Sequence, residues 1–375
     1  SLGDPSTTLG AGYFKKEAIE WSWEFLTDKK WLGLDPRRLY VTVFAGDEKL
    51  GIDRDDESVQ IWKKLFKQKG IEAKDVYIGA ESNGSHVGMQ GGRIFYYDAS
   101  KNWWSRAGVP ANMPVDEPGG PDSEMFYDFG SEHDSKLGKE CHPNCDCGRF
   151  LEIGNSVFME YKKNADGSFS KLQQRNVDFG GGLERIAAAA LDDADIFKIS
   201  LLTPIINVLA NECKNYYQGP KKMSFRVVAD HLRAASFLIT DGVLPSNIDR
   251  GYFVRRLIRR AVRHADIIGL QPGRLPLLVL ELVKAYGDSY PALSQNASTN
   301  MEAIAKEELR FRETLDRGLK EFAKIAAEKS IISAKQAFDL YQSYGFPLVM
   351  TVELAQEKGL IVDIDKATAA VEEGI

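Results

Sequence analysis

Cysteine and histidine are scarce in this 375-residue chain, with four of the first and five of the second. So few cysteines exclude a disulfide scaffold, and a chain long enough for two or three domains buries cores that need no staples. No apolar run reaches the roughly 20 residues of a membrane-spanning helix, and no leader pattern opens the chain. A basic excess is missing too: 54 Asp and Glu against 48 Lys and Arg leave a net charge of −6. That balance excludes wholesale coating of nucleic acid, yet leaves room for a local basic patch. With 43% hydrophobic and 27% charged residues the chain reads as globular, and the cytoplasm is its expected location.

What cysteine there is gathers in one place. Three of the four fall in Cys141-His142-Pro143-Asn144-Cys145-Asp146-Cys147, a clustering that points to metal before redox pairing. The fourth, Cys213, continues the apolar pattern of Ile205, Ile206, Val208 and Leu209 and reads as a packed core thiol.

Glycine is concentrated as well, in Val177-Asp178-Phe179-Gly180-Gly181-Gly182-Leu183-Glu184-Arg185 followed by Ile186 and four alanines. Three glycines between a β-like approach and a strong helix former suit a backbone that turns sharply or lies against a ligand. Such a unit offers free N–H groups and the positive end of a helix to a phosphate, with Arg185 adding a cationic fork. A plain strand-to-helix connection with a solvated Arg185 fits the glycines equally well.

From Tyr13 to Leu26 apolar residues recur at helical spacing, residues 39–44 form a β-rich run, and residues 58–66 return to helical periodicity. Residues 74–170 read as antiparallel strands with long loops, and Asn164-Ala165-Asp166-Gly167 marks a turn. Strands and helices do not alternate regularly, which argues against a doubly wound parallel sheet. Beyond about residue 192 helices succeed one another, among them a long charged one over 299–330.

The helix over 253–264 is the most basic segment. Val254, Leu257, Ile258, Ala261 and Val262 share one face; Arg255, Arg259 and Arg263 form one i, i+4 row, and Arg256, Arg260 and His264 the next. So dense a basic surface calls for an anionic partner, either acidic residues elsewhere in the chain or an RNA backbone.

Four stretches together carry a family likeness: Tyr13-Phe14-Lys15-Lys16-Glu17-Ala18, Gly120-Pro121-Asp122-Ser123-Glu124, Val177 to Arg185, and Asp241-Gly242-Val243-Leu244-Pro245-Ser246-Asn247 leading into the arginine helix. In order and spacing the chain resembles the alanyl-tRNA synthetases, class II aminoacyl-tRNA synthetases, over nearly its whole length. The resemblance implies an α+β fold, a class II antiparallel sheet flanked by helices over residues 1–192, then an all-helical tRNA-recognition domain over residues 193–375. It implies an alanine–tRNA ligase activity: ATP and Mg²⁺ activate alanine to alanyl-adenylate, and the alanyl group passes to the 3′ end of tRNA(Ala).

Carried over residue by residue, the resemblance makes Arg185, with Gly182, the ATP contact and Arg185 the catalytic residue. Asp178, as a buried carboxylate, would receive the alanine ammonium, with Gly180 beside it and Trp104 and Val157 walling the pocket. The alternative for Asp178 is a turn or capping aspartate. Asn247 would read the acceptor stem of tRNA(Ala), Arg255, Arg256, Arg259, Arg260 and Arg263 would grip phosphates, and Gln342 would stand where relatives often carry aspartate.

The chain also departs from the family pattern. The cysteines some members carry within the segment of Gly119 and Asp122 are absent here. Cys141, Cys145 and Cys147 instead suit tetrahedral Zn²⁺ with His142, or His133, as fourth ligand; reduced loop thiols are the alternative. Motif 1 and most of motif 2 are expected before residue 1, Ser1-Leu2-Gly3-Asp4 reads as the tail of motif 2, and residues 5–12 as a natural insertion or an artificial joint. No editing domain follows within the chain. The expectation is a catalytic core with a tRNA-recognition region, weakly active or inactive alone and monomeric; a non-catalytic acceptor-stem binding module is the alternative.

Overall fold

The computed structural model describes residues 12–328 and 330–373, so the expectations placed on Ser1–Asp4 and on the insertion up to residue 11 lie outside the described residues. The chain divides into two compact units, the first ending at Ile199 and the second beginning at Ser200.

In the first unit, helix α1 (Lys15–Thr27) is followed by strand β1 (Leu39–Phe44), helix α2 (Asp56–Gln68), strand β2 (Asp75–Gly79), helix α3 (Glu81–Val87) and strand β3 (Ile94–Tyr97). Strands β4 (Trp103–Trp104), β5 (Pro118–Asp128), β6 (Phe150–Lys163) and β7 (Phe169–Gly181) lead to helix α4 (Leu183–Leu191). The sheet has the order β2-β3-β1-β5-β6-β7, with β4 paired to β5 off this path.

Antiparallel pairing holds from β1 through β5 and β6 to β7, but β1–β3 and β2–β3 are parallel. The mixed sheet follows from α2 and α3, because a crossover helix returns the chain to the same end of the sheet. In α3 the sequence Glu81-Ser82-Asn83-Gly84-Ser85-His86-Val87 looks like a loop, which conceals the second crossover.

Helix α2 forms where Asp55 caps the N-terminus through the Ser58 N–H at 3.1 Å and Asp56 and Glu57 favour the helix dipole. Its buried Val59, Trp62, Leu65 and Phe66 pack with Ile19 and Trp23 of α1 against one sheet face, beside Val41, Val43, Ile94, Phe158 and Val177. Burying apolar surface at about 25 cal/mol per Å² makes this layer the main stabiliser of the unit. Lys15 is also buried there, held between Asp55 at 2.8 Å and Glu160 at 3.0 Å. Losing either carboxylate would leave its charge poorly compensated. The opposite face carries Thr42, Asn102, Asp122 and Glu124, all buried and polar.

The second unit comprises helices α5 (Thr203–Cys213), α6 (Lys222–Thr240), α7 (Asp249–Ile268), α8 (Val279–Tyr286), α9 (Pro291–Gln295) and α10 (Ala297–Glu328). Strand β8 (Ile331–Ile332), helices α11 (Ala334–Tyr344) and α12 (Leu348–Glu357), strand β9 (Ile361–Val362) and helix α13 (Ile364–Glu373) complete it. It is helical apart from the two-residue pairing of β8 with β9. Cys213 is buried at the end of α5, the expected core thiol.

Candidate functional site

Two cross-strand rows organise the polar face of the first unit. In one, Asp122, Val157 and Asp178 lie directly opposite one another on β5, β6 and β7. In the next, two residues along, Thr42, Glu124, Asn155 and Gly180 line up across β1, β5, β6 and β7. Directly opposed residues share a face and so do residues two apart, which places Val157, Asp178 and Gly180 together. Trp104 lies opposite Gly120 on β5 and is 39% exposed. Gly120 has no alternative: a Cβ there would sit 1.9 Å from the Phe158 carbonyl oxygen. At Gly180 a Cβ would meet nothing within 4 Å, so protein packing does not demand that glycine.

Asp178 differs from the sequence expectation in being exposed. It belongs to the edge strand β7, at the rim of a groove of about 410 Å³ also lined by Trp21, Phe25 and Phe179. The buried carboxylates are its neighbours. Thr42 Oγ1 donates to Glu124 Oε2 at 2.7 Å, and Asn102 Nδ2 donates to Thr42 Oγ1 at 2.8 Å and to Asp122 Oδ1 at 3.0 Å. Burial pushes the Glu124 carboxyl up to about 7, and burial followed by the charge of Glu124 raises Asp122 well above the carboxylate range. The carbonyl oxygens of Asn102 and Asn155 are buried without a partner among the described residues. Sequence reasoning assigned no role to Asn102, Asn155, Asp122 or Glu124. The available signal was the period of two, which puts Asn155 beside Val157 and Glu124 beside Asp122.

The glycine stretch runs from strand into helix as read. Gly180 and Gly181 end β7, Gly182 caps α4, and Arg185 stands in its first turn. The Arg185 guanidinium is engaged, donating to the Glu152 carbonyl at 3.2 Å and to its carboxylate at 3.0 Å, with the side chain 47% exposed.

In the second unit Asn247 and Gln342 line one cavity of about 250 Å³ with Tyr252, Arg255, Arg256 and Tyr341. The arginine helix α7, however, is not a free basic surface. Arg259 is buried, donating to Glu307 at 2.6 Å and to the Gly345 carbonyl at 2.6 Å. Arg263 is buried against Glu357 at 2.7 Å, Arg260 pairs with Glu353, and Arg255 approaches Glu307 at 3.4 Å. For Arg259, Arg260 and Arg263 acidic partners lie within the chain, in ion pairs that fix α10 and α12 on α7. Burying a guanidinium is tolerable only with such pairing. Arg256 stacks on Phe253, with its guanidinium carbon 4.9 Å from the ring centre.

A family model described as tRNA synthetases class II (A) matches residues 2–374. The chain belongs to this class II tRNA synthetase family. An alanine–tRNA ligase of Treponema pallidum is 37% identical over 372 residues, covering 97% of this chain and 55% of the relative. Those of Thermotoga petrophila, at 37% over 363 residues, and a Psychrobacter species, at 39% over 356, are matched over 38% and 36% of their lengths. The chain thus spans between about a third and just over half of these curated relatives.

The chain also brings His133, Cys141, Cys145 and Cys147 together, their ligand atoms all within 4.8 Å of one another, a group compatible with zinc. His142, the first expected fourth ligand, is elsewhere: its Nδ1 is hydrogen-bonded to the Tyr97 hydroxyl at 2.8 Å and its ring packs on Gly84. Among the described residues, no helix is long and apolar enough to cross a membrane.

Proposed function

We propose that this chain carries the alanine-activating site and acceptor-stem-reading surface of an alanine–tRNA ligase. The observation that carries the reading is the shared face of Val157, Asp178 and Gly180, with Arg185 in the first turn of the next helix. Asp178 would hold the α-ammonium by charge and hydrogen bond, while Val157 and Trp104 bound a pocket for one methyl group. Gly180 leaves room for substrate against the strand. The alanine carboxylate attacks the α-phosphorus of ATP, the bond to the β-phosphate breaks, and pyrophosphate leaves. A terminal ribose hydroxyl of tRNA then attacks the alanyl carbonyl, releasing AMP. Positioning and charge neutralisation supply the catalysis.

Arg185 and Gly182 would meet the phosphates, Arg185 after exchanging Glu152 for phosphate oxygens. Magnesium, when bound with ATP, supplies further neutralisation. Glu152, once released by Arg185, would be a carboxylate oxygen donor for it.

For tRNA, Asn247 and Gln342 would hydrogen-bond base edges of the acceptor stem in the shallow minor groove, and Arg255 and Arg256 would contact phosphates. The ion pair from Arg185 to Glu152 also favours a second reading, an acceptor-stem binding module without catalysis.

Alanine-dependent exchange of pyrophosphate into ATP, measured beside binding of a tRNA(Ala) acceptor-stem duplex, tests the proposal. Exchange together with binding supports it. Binding without exchange, in a protein also carrying the remaining segments of its relatives, supports the module. A pocket sized for one methyl group separates alanine from glycine by only about 1–3 kcal/mol, so glycine should support measurable exchange.

A further inference from the structure

We propose that the connection between β5 and β6, residues 129–149, is a structural zinc site in which His133, Cys141, Cys145 and Cys147 are the four ligands. This goes beyond amino-acid activation and tRNA binding and depends on neither. Cys141 Sγ lies 3.6 Å from Cys147 Sγ, and Cys145 Sγ lies 3.7 Å from His133 Nδ1. A tetrahedral zinc with Zn–S near 2.3 Å and Zn–N near 2.0 Å sets its donors roughly 3.5–3.8 Å apart. The pairs are already at that spacing. It is far from the ~2.05 Å of a disulfide, and all four cysteines are free thiols.

The surrounding bonds select the histidine. His133 Nε2 is hydrogen-bonded to the Gly138 carbonyl oxygen at 2.9 Å. Donation from Nε2 to that carbonyl leaves Nδ1, the atom facing Cys145, with its lone pair available, the usual outer-shell device for a metal-bound imidazole. The His142 ring cannot swing in its place without giving up Tyr97, and it lies so close to Gly84 that a Cβ there would come within 2.6 Å of it.

Three thiolates with one imidazole are a soft donor set that selects zinc over magnesium or calcium. Four protein ligands leave no open position, and Cys141 and Cys145 are only 8% and 7% exposed, so the site is structural. Each thiol releases its proton to solvent as the metal binds.

The metal would fasten this loop to the sheet. Cys141 and Cys145 pack on Phe126 and Phe150, the latter opposite Asp128 at the start of β6. Arg149 closes the base of the loop through two hydrogen bonds to Asp128, at 3.0 and 2.8 Å. The Glu140 N–H donates to the Ser85 carbonyl at 2.9 Å, tying the loop to α3 as well. Metal loss should therefore loosen α3 and residues 129–149 and leave the second unit unchanged.

The test is metal analysis of the protein purified without chelator, beside its Cys145→Ser, His133→Ala and His142→Ala variants. The expected result is about one equivalent of zinc in the parent and in His142→Ala, a marked loss in His133→Ala, and less than about a tenth of an equivalent in Cys145→Ser. Cobalt exchanged into the parent should show thiolate charge-transfer absorption, a readout that holds even if Cys145→Ser fails to fold. Hydrogen exchange after metal removal should rise in residues 81–87 and 129–149 and not beyond Ser200. Less than a tenth of an equivalent in the fresh parent, absence of the cobalt signature, or zinc lost by His142→Ala but kept by His133→Ala would overturn the proposal.

Discussion

Val157 and Asp178 stand directly opposite each other across β6 and β7, which puts an apolar wall and a carboxylate on the same patch of sheet. A small zwitterion needs that combination, one charge to hold its amine and one surface to cover its methyl group.

Asp178→Asn keeps the shape and removes the charge. Because hydrogen bonds to charged groups contribute about 1.5–3 kcal/mol, kcat/KM for alanine in pyrophosphate exchange should fall roughly 10- to 100-fold. Thermal stability should stay unchanged, since Asp178 is exposed. A loss of melting temperature matching the loss of activity would assign the residue a structural role.

Two glycines make opposite predictions. Gly180→Ala places a methyl group in open space on the face proposed for substrate and should weaken alanine binding while the fold persists. Gly120→Ala drives a Cβ to 1.9 Å from the Phe158 carbonyl oxygen and should impair folding. Circular dichroism melts of the two variants, compared with alanine titrations, separate these effects.

Arg256 and Arg259 occupy the same helix but should fail differently. Removing Arg259 leaves Glu307 buried with a weaker partner, which costs about 3–5 kcal/mol for a buried pair and lowers the melting temperature. Arg256→Ala should leave melting intact, weaken acceptor-stem binding, and lower the slope of log K against log salt by about one phosphate contact. Equal melting with equal RNA affinity in both variants would remove the distinction.

Glu124 links the candidate site to pH. Its folded-state pKa is raised from 4.5 to about 7 by burial, so the folded state holds the proton more tightly than the unfolded chain. The associated stability is fully present below pH 4.5 and is lost as pH rises through about 7. Glu124→Gln should flatten the stability of the first unit over that window, measured by urea unfolding at successive pH values. An unchanged slope would mean that Glu124 does not govern it.

The sequence revealed local structure better than partnership. Strand β1 was readable because Leu39 to Phe44 carries its β-rich pattern within the segment itself. Helix α3 was not, because Ser, Asn and Gly favour turns locally while tertiary packing makes them helical. The arginine rows were placed correctly on one helix, but the partner of Arg259 lies 48 residues away and that of Arg260 lies 93 away. Periodicity carries no trace of such distant acids. The metal-ligand set shows the same limit, since His142 is adjacent to Cys141 in sequence while His133 is the histidine that the loop folds onto Cys145.

The most direct test of the central reading is calorimetric titration of this chain with a non-hydrolysable alanyl-adenylate analogue, repeated on Asp178→Asn. The account predicts one site per chain and binding weakened at least tenfold by the substitution. Equal affinity in the two proteins, or no binding by a folded parent chain, would contradict it.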